Sequence, residues 1–257
     1  MDNKNQDLQV KLAEFLGWHL GDGCISISGG RSEYTLTGDI TEEYFFYENV
    51  IVPTFNEIFQ DIITKPVVLR KYKSVGVCGI YLFNKQFVGH LVINFNLPTG
   101  KKLNIKIPHF IQTKEQKIAF LRGVFDTDGS IYFGRSHVIT KKKSLYTIFH
   151  YFPKIRLATI SKELIEGVYK MLIELNFSPR LQMPIKQRVE DNIMYSVVLD
   201  TKKDIKKWNE EIGFRSVKHS SKVEVWQKFG FCPPYTTLSQ RILMLEDKLN
   251  PLQFYPN

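Results

Sequence analysis

The sequence predicts an α+β protein of two related halves, each running helix, β-hairpin, helix, β-hairpin, helix. Three observations predict it. A motif occurs twice, as L-A-E-F-L-G-W-H-L-G-D-G over residues 12–23 and I-A-F-L-R-G-V-F-D-T-D-G over residues 118–129. After each copy the apolar period changes from that of a helix to that of a strand. Later, Ile40-Thr41-Glu42-Glu43 and Ile160-Ser161-Lys162-Glu163 offer matching helix starts. One shift of register superimposes Ala13 on Ala119, Gly17 on Gly123, Gly21 on Thr127, Asp22 on Asp128 and Gly23 on Gly129.

The first helix, about 8–21, carries Leu8, Leu12, Leu16 and Leu20 on one stripe, with Phe15 and Trp18 beside it. Its counterpart, about 114–127, starts at Thr113 with Gln116 three residues on, the pattern of a capping box. Cys24-Ile25-Ser26-Ile27-Ser28 then alternates as a half-buried strand does, and Gly29-Gly30 turns the chain. Ser130-Ile131-Tyr132-Phe133 repeats that pattern, and Lys154-Ile155-Arg156-Leu157 sets two cations opposite two aliphatics. Thr41 and Ser161 are the expected N-caps of the second helices. The stretch from acid to cap is longer in the second half and includes Arg135, His137 and Lys141–Lys143. Basic strand segments follow at 67–83 (Arg70, Lys71, Lys73) and 180–199 (Lys186, Gln187, Arg188), then third helices at about 84–94 and 202–212. Residues 96–112, with Pro98, Gly100 and Pro108, read as the connector, and a helix is expected near 238–249. The expected division is a first half over 1–100, a connector over 101–112, a second half over 113–231 and a C-terminal helix and tail over 232–257.

At 257 residues and 43% hydrophobic, the chain buries enough apolar surface for one domain or two closely packed ones. No run of about 18 apolar residues occurs, so no membrane span is expected. The polar start lacks the apolar stretch of a signal peptide. Cys24, Cys78 and Cys232 are far apart, without paired-cysteine or clustered-histidine spacing, which argues against a disulfide framework or a zinc site. A reducing, intracellular setting is the simple reading. The net charge of +9 suits a polyanionic partner, although charge alone is equally compatible with solubility.

Ala13, Gly17 and Gly21 fall on one helix face, as do Ala119, Gly123 and Thr127. Small residues at this spacing let helix backbones approach closely, and glycine inside a helix costs roughly 1 kcal/mol. The two helices are therefore expected to pack on each other about a pseudo-twofold axis. Asp22 and Asp128 would then lie side by side at helix C-termini, where the macrodipole disfavours negative charge. Such a locus needs cations, and Mg²⁺ is commonly held by one or two carboxylates with phosphates and water. The carbonyls of Gly21 and Thr127 are further candidate ligands. Gly23 and Gly129 are expected to turn the chain in the left-handed conformation. The calcium-loop, aspartic-protease and phosphate-loop patterns all fit worse.

The two copies, Phe15–Gly23 and Leu121–Gly129, resemble the signature of the LAGLIDADG homing endonucleases, the second copy closely. Ile107-Pro108 and Ile160-Ser161-Lys162-Glu163-Leu164 add context, and two motifs in one chain resemble the monomeric, pseudo-dimeric branch. The resemblance implies antiparallel sheets forming a saddle over double-stranded DNA, and a staggered double-strand cut leaving 3′ overhangs. It implies Asp22 and Asp128 as catalytic metal-binding acids, Mg²⁺ as cofactor with Mn²⁺ substituting, and Ca²⁺ supporting binding without cleavage. Asp39 and Thr159 stand near the family's water-ordering polar position. Lys71, Lys73, Lys186 and Arg188 are candidates for its core basic residue, from strand placement only. Leu20 departs from the signature where the second copy has Asp126. DNA contacts are expected from Ser26, Ser28, Arg31, Tyr34, Arg70, Lys73, Tyr132, Arg135, Lys154, Arg156, Gln182, Gln187 and Arg188, on base edges or phosphates. Each of these could also be an ordinary solvated strand residue. A non-cleaving intron maturase or regulator on the same scaffold is the alternative. An intein host is not expected, because no splicing-type junction ends the sequence.

Overall fold

The computed structural model describes residues 3–137, 148–185 and 192–255. Its first half runs α1 (Asn3–Asp22), β1 (Gly23–Ser28), β2 (Arg31–Asp39), α2 (Tyr44–Phe46), a π-helical stretch Tyr47–Ile51, α3 (Val52–Phe59), β3 (Arg70–Tyr72), β4 (Val77–Phe83) and α4 (Lys85–Phe95). Its second runs α5 (Lys114–Thr127), β5 (Gly129–His137), β6 (Ile148–Thr159), α6 (Lys162–Glu174), β7 (Arg180–Ile185), β8 (Met194–Leu199) and α7 (Lys202–Glu211). Each half holds an antiparallel four-stranded sheet, in the orders β1-β2-β4-β3 and β5-β6-β8-β7. The same topology occurs twice, as the duplicated motif requires.

Helices α1 and α5 pack along each other so closely that their glycines have no room for a side chain. A Cβ on Gly17 would strike the Phe120 carbonyl oxygen and lie 2.8 Å from Val124 N; one on Gly123 would strike the Glu14 carbonyl and lie 3.1 Å from Trp18 N. One on Gly21 would overlap the Thr127 side chain. Ala13 and Ala119 are fully buried. Glu14, almost wholly buried, joins the halves by accepting from Arg122 Nε and Arg215 Nη1, each at 2.9 Å.

One face of each sheet packs on helices. Ile25, Leu36 and Ile80 are buried there in the first half, and Ile131, Ile155, Leu157, Val197 and Leu199 in the second. Tyr34 shares this inner face: it is fully buried, with ring centroids 6.1 Å from Phe15, 5.9 Å from Phe55 and 5.2 Å from Phe87. Its expected DNA contact is therefore corrected. Alternation along β2 puts Glu33 and Thr35 outward and Tyr34 inward, against an aromatic core.

One helix start also differs from expectation. Ser161 caps α6, accepting from Leu164 N at 3.3 Å, but Thr41 caps nothing. Asp39 Oδ1 instead accepts from Thr41 N, Thr41 Oγ1 and Glu42 N, closing a turn that delays α2 to Tyr44. The predicted capping box of Thr113 and Gln116 is present. An unanticipated helix, α8 (Val217–Phe229), precedes α9 (Leu238–Leu245) and a 3-10 turn at Pro251–Phe254. Fully buried Arg241 fastens this segment, donating to Ser221 Oγ at 2.9 Å, to the Thr236 carbonyl and to Glu42 Oε2 at 2.5 Å. Trp226 Nε1 meanwhile donates to the Tyr151 carbonyl at 2.9 Å. The C-terminal segment thus bonds to both halves.

Gly123→Ala should destabilise the fold by about 1–3 kcal/mol through overpacking, read as a lowered thermal midpoint. Gly89→Ala in α4, where a Cβ meets nothing within 4 Å, should instead be neutral or raise it. Equal effects of the two changes would contradict the close helix contact.

Candidate active site

Asp22 is the last residue of α1 and Asp128 is the C-cap of α5, its N–H donating to the Val124 carbonyl at 3.0 Å. Strands β1 and β5 leave at once from Gly23 and Gly129. Neither glycine has a positive φ, so the expected left-handed turn is corrected. They are required by space: a Cβ would lie 2.7 Å from His19 Cα or 2.6 Å from Phe125 Cα. The chain passes from helix to strand against its own last turn, and that tight exit fixes where each carboxylate emerges.

The two acids sit in mutual electrostatic reach with Glu43, Lys102 and Lys218 around them. Burial pushes the Asp22 pKa up to about 7; Glu43 and Asp128 add to the rise, and Lys218 and Lys102 oppose it. The Asp128 pKa is also raised, by packed surroundings first and by Glu43, against the two lysines. Tyr47, buried, donates its hydroxyl to Asp22 Oδ2 at 3.4 Å. Glu43 is buried, accepts from Asp39 N at 2.7 Å and pairs with Lys218 at 3.2 Å. Lys102 Nζ donates to the carbonyls of His19 at 2.9 Å, Leu20 at 3.1 Å and Gly21. One ammonium thus satisfies the α1 end carbonyls while facing both acids, although burial lowers its pKa.

These two lysines are absent from the sequence-derived candidates. Lys102 follows the third helix of the first half and Lys218 that of the second, each across a short loop, so matching the halves beyond the motif would have exposed them. Lys71 is corrected as a core cation. By register it pairs with Cys78 on the inner face, and its ammonium lies 3.9 Å from the Tyr44 ring centroid, away from the acids. Lys186, Gln187 and Arg188 lie outside the described residues, as does the Lys141–Lys143 run. Asp39 sits at the end of β2 and reaches Glu43 through its backbone N–H. Thr159 ends β6, with its hydroxyl 3.4 Å from Ser161 N. Asp126 is fully buried and accepts from Arg215 N at 3.1 Å and Ser216 N at 3.0 Å, holding the start of α8. Burial raises its pKa to about 8. The first half has apolar Leu20 there, buried, and no counterpart to α8 to hold.

The outer sheet faces carry polar and basic residues. In the first sheet the register aligns Cys24, Ser26 and Ser28 with Thr35, Glu33 and Arg31, then with Tyr81 and Phe83, and Arg70 with Gly79. In the second it aligns Ser130 and Tyr132 with Arg156 and Lys154, and Arg180 and Gln182 with Val198 and Ser196. Arg156 donates to Ser196 Oγ at 3.3 Å, and that hydroxyl donates to Gln182 Oε1 at 2.9 Å. Lys73 lies in the 3-10 turn between β3 and β4, and Arg135 lies on β5. Among the described residues no three carboxylate, imidazole or thiol groups gather as a metal cage. A pair of carboxylates fits the mode in which Mg²⁺ is completed by phosphate and water.

Two motif helices delivering paired acids beneath twin antiparallel sheets define a class, and comparison with known proteins agrees. Residues 115–213 match the family described as the LAGLIDADG-like domain. That match lies in the second half, and the fold of the whole chain is similar to that of the two-domain LAGLIDADG homing endonucleases. The crystal structure of I-DmoI in complex with DNA and Mn superposes with a TM-score of 0.54 at 16% identity, covering 80% of this chain and 97% of that one. Mesophilic variants of the homing endonuclease I-DmoI give 0.52 at 15% identity, covering 80% and 97%. A mutant of I-SmaMI gives 0.54 at 9% identity, covering 91% and 92%. Among curated proteins, the replication factor C small subunit of Methanocaldococcus jannaschii is 22% identical over 217 residues, 84% of this chain. The chain spans only 10% of the length of that relative. No described helix is long and apolar enough to cross a membrane.

The Asp22 pKa sets a pH dependence. The folded carboxyl keeps its proton up to about 7, whereas an unperturbed one loses it near 3.8, so folding takes up a proton between these values. Stability should fall as pH rises through that window. Thermal midpoints in EDTA should fall less from pH 4 to pH 8 for Asp22→Asn than for the parent, and Mg²⁺ should raise the parent's midpoint at pH 8. Parallel pH profiles for both proteins would contradict the placement.

Proposed function

We propose that the chain is a site-specific DNA endonuclease that cuts both strands with a stagger leaving 3′ overhangs. The observation that carries the reading is the pair Asp22 and Asp128, brought together at two helix ends between outer sheet faces bearing Arg31, Arg70, Lys154, Arg156 and Arg180. The sheets would lie in the major groove, where arginine and glutamine read base edges and other cations hold phosphates. The two halves correspond to the division at residues 1–100 and 113–231. I-DmoI has been crystallised with DNA and Mn and with DNA and Ca, which supports divalent-metal use on this fold.

Asp22 and Asp128 would hold Mg²⁺ or Mn²⁺, with the Gly21 and Thr127 carbonyls as candidate further ligands. A bound divalent ion supplies Lewis acidity and a more acidic water for phosphodiester hydrolysis. Around it, the chain's own groups divide the labour. Lys102 and Lys218 place positive charge where the phosphorane would develop it in the opposite sense. Glu43 and Tyr47 orient Lys218 and Asp22. Asp39, linked to Glu43 through its backbone N–H, and Thr159, at the end of β6, would help to order water around the metal. The non-cutting alternative loses ground because both acids are retained.

Incubation with a randomised duplex library and Mg²⁺, followed by sequencing of cut ends, tests the reading. Asp22→Asn and Asp128→Asn should each abolish double-strand cutting. Lys102→Met and Lys218→Met should slow it by about 10²-fold or more while Ca²⁺-supported binding persists. Cutting undiminished by the acid substitutions would overturn the assignment, as would binding without cutting under every divalent ion.

A further inference from the structure

A recess with an apolar floor of Ile131, Phe133, Pro233 and Pro234 lies beside the second sheet, and neither acid lines it. It is a cavity of about 470 Å³ between β5, an edge strand, and the turn 232–236. Tyr132, His150, Lys222, Cys232, Tyr235 and Thr236 line it. Lys222 stands one turn beyond Lys218 on α8, so both lysines share a helix face. It is half-buried and, among the described residues, pairs with no carboxylate within 4.0 Å. Burial lowers its pKa, as do neighbouring Arg241 and Lys218, against an opposing pull from Cys232 and Glu42. A half-buried cation left unpaired is costly unless something anionic arrives.

The rim carries a second unusual feature. Tyr235 is 95% exposed, yet its backbone is left-handed, with φ 59. The turn around it is held from behind: Thr236 Oγ1 donates to the Pro233 carbonyl at 3.2 Å, and buried Arg241 donates to the Thr236 carbonyl. Strain kept in place by a buried anchor, on a residue that packs against nothing, belongs with binding positions. One helical turn advances about 5.4 Å, and a DNA strand rises about 3.4 Å per nucleotide. Lys222 therefore lies about one turn's rise from Lys218, on the same face of α8.

We propose that Lys222 seats a non-reacting phosphodiester of the bound DNA strand, with Tyr132 and Tyr235 flanking it and the Tyr235 ring lying on the neighbouring nucleotide. This seat rests on the DNA-cleavage reading. It gives the C-terminal segment a role in holding the strand next to the site of reaction.

The probe is a labelled random-sequence duplex of about 40 base pairs in Ca²⁺, titrated between about 50 and 200 mM KCl. Lys222→Met should weaken binding several-fold at the lower salt and reduce the salt slope by about one, and Lys222→Arg should restore both. Tyr235→Gly removes the ring and relieves the left-handed backbone, so binding should weaken while the thermal midpoint holds or rises. A parent protein that binds duplex, with an unchanged slope in Lys222→Met or full affinity in Tyr235→Gly, would sink the seat and leave the endonuclease reading standing. A parent that fails to bind duplex at any salt would overturn both.

Discussion

The rest of the molecule depends on the backbone contact between α1 and α5. Because Gly17 and Gly123 each meet a carbonyl of the facing helix, the helices cannot be separated by ordinary side chains. The halves are therefore locked with their helix C-termini adjacent. From that one constraint follow the proximity of Asp22 and Asp128, the outward departure of β1 and β5, and the doubled sheet order. Glycine inside a helix is a local cost, offset here by the burial that close packing permits around Ala13, Trp18, Ala119 and Val124.

Bringing two carboxylates to two negative helix ends creates an electrostatic problem, which the chain meets with cations from distant segments. Lys102 binds three end carbonyls of α1, and Lys218 pairs with Glu43 beside both acids. Even so, Asp22 remains protonated more readily than an ordinary carboxyl. The fold thus stops short of neutralising the centre. The residual demand for positive charge is of the kind that a divalent ion would meet.

The two halves differ where the second must carry an extra element. Asp126 holds the start of α8 through two backbone N–H groups, a task absent from the first half, where Leu20 is simply core. Helix α8 in turn presents Lys218 to the acids and Lys222 to the recess beside β5. One buried carboxyl therefore positions a cation of the centre without touching it.

The sequence by itself determined the duplication, the α+β order, the meeting of small-residue helix faces and the two acids at their ends. These are local properties: periodicity, small residues four apart and an acid before glycine are all written in contiguous residues. The inward turn of Tyr34 followed from alternation along β2 as well, but only sheet register showed which face was the core. Tertiary structure alone decided the cations. Lys102 and Lys218 follow the third helices at matching places, but that they reach the acids depends on how the chain folds back to the helix ends. Lys71, by contrast, sits on a basic strand yet pairs with the inner face. Position along the chain named the acids because a helix carries them there, whereas long flexible lysines report their target only once the surrounding surfaces are in place.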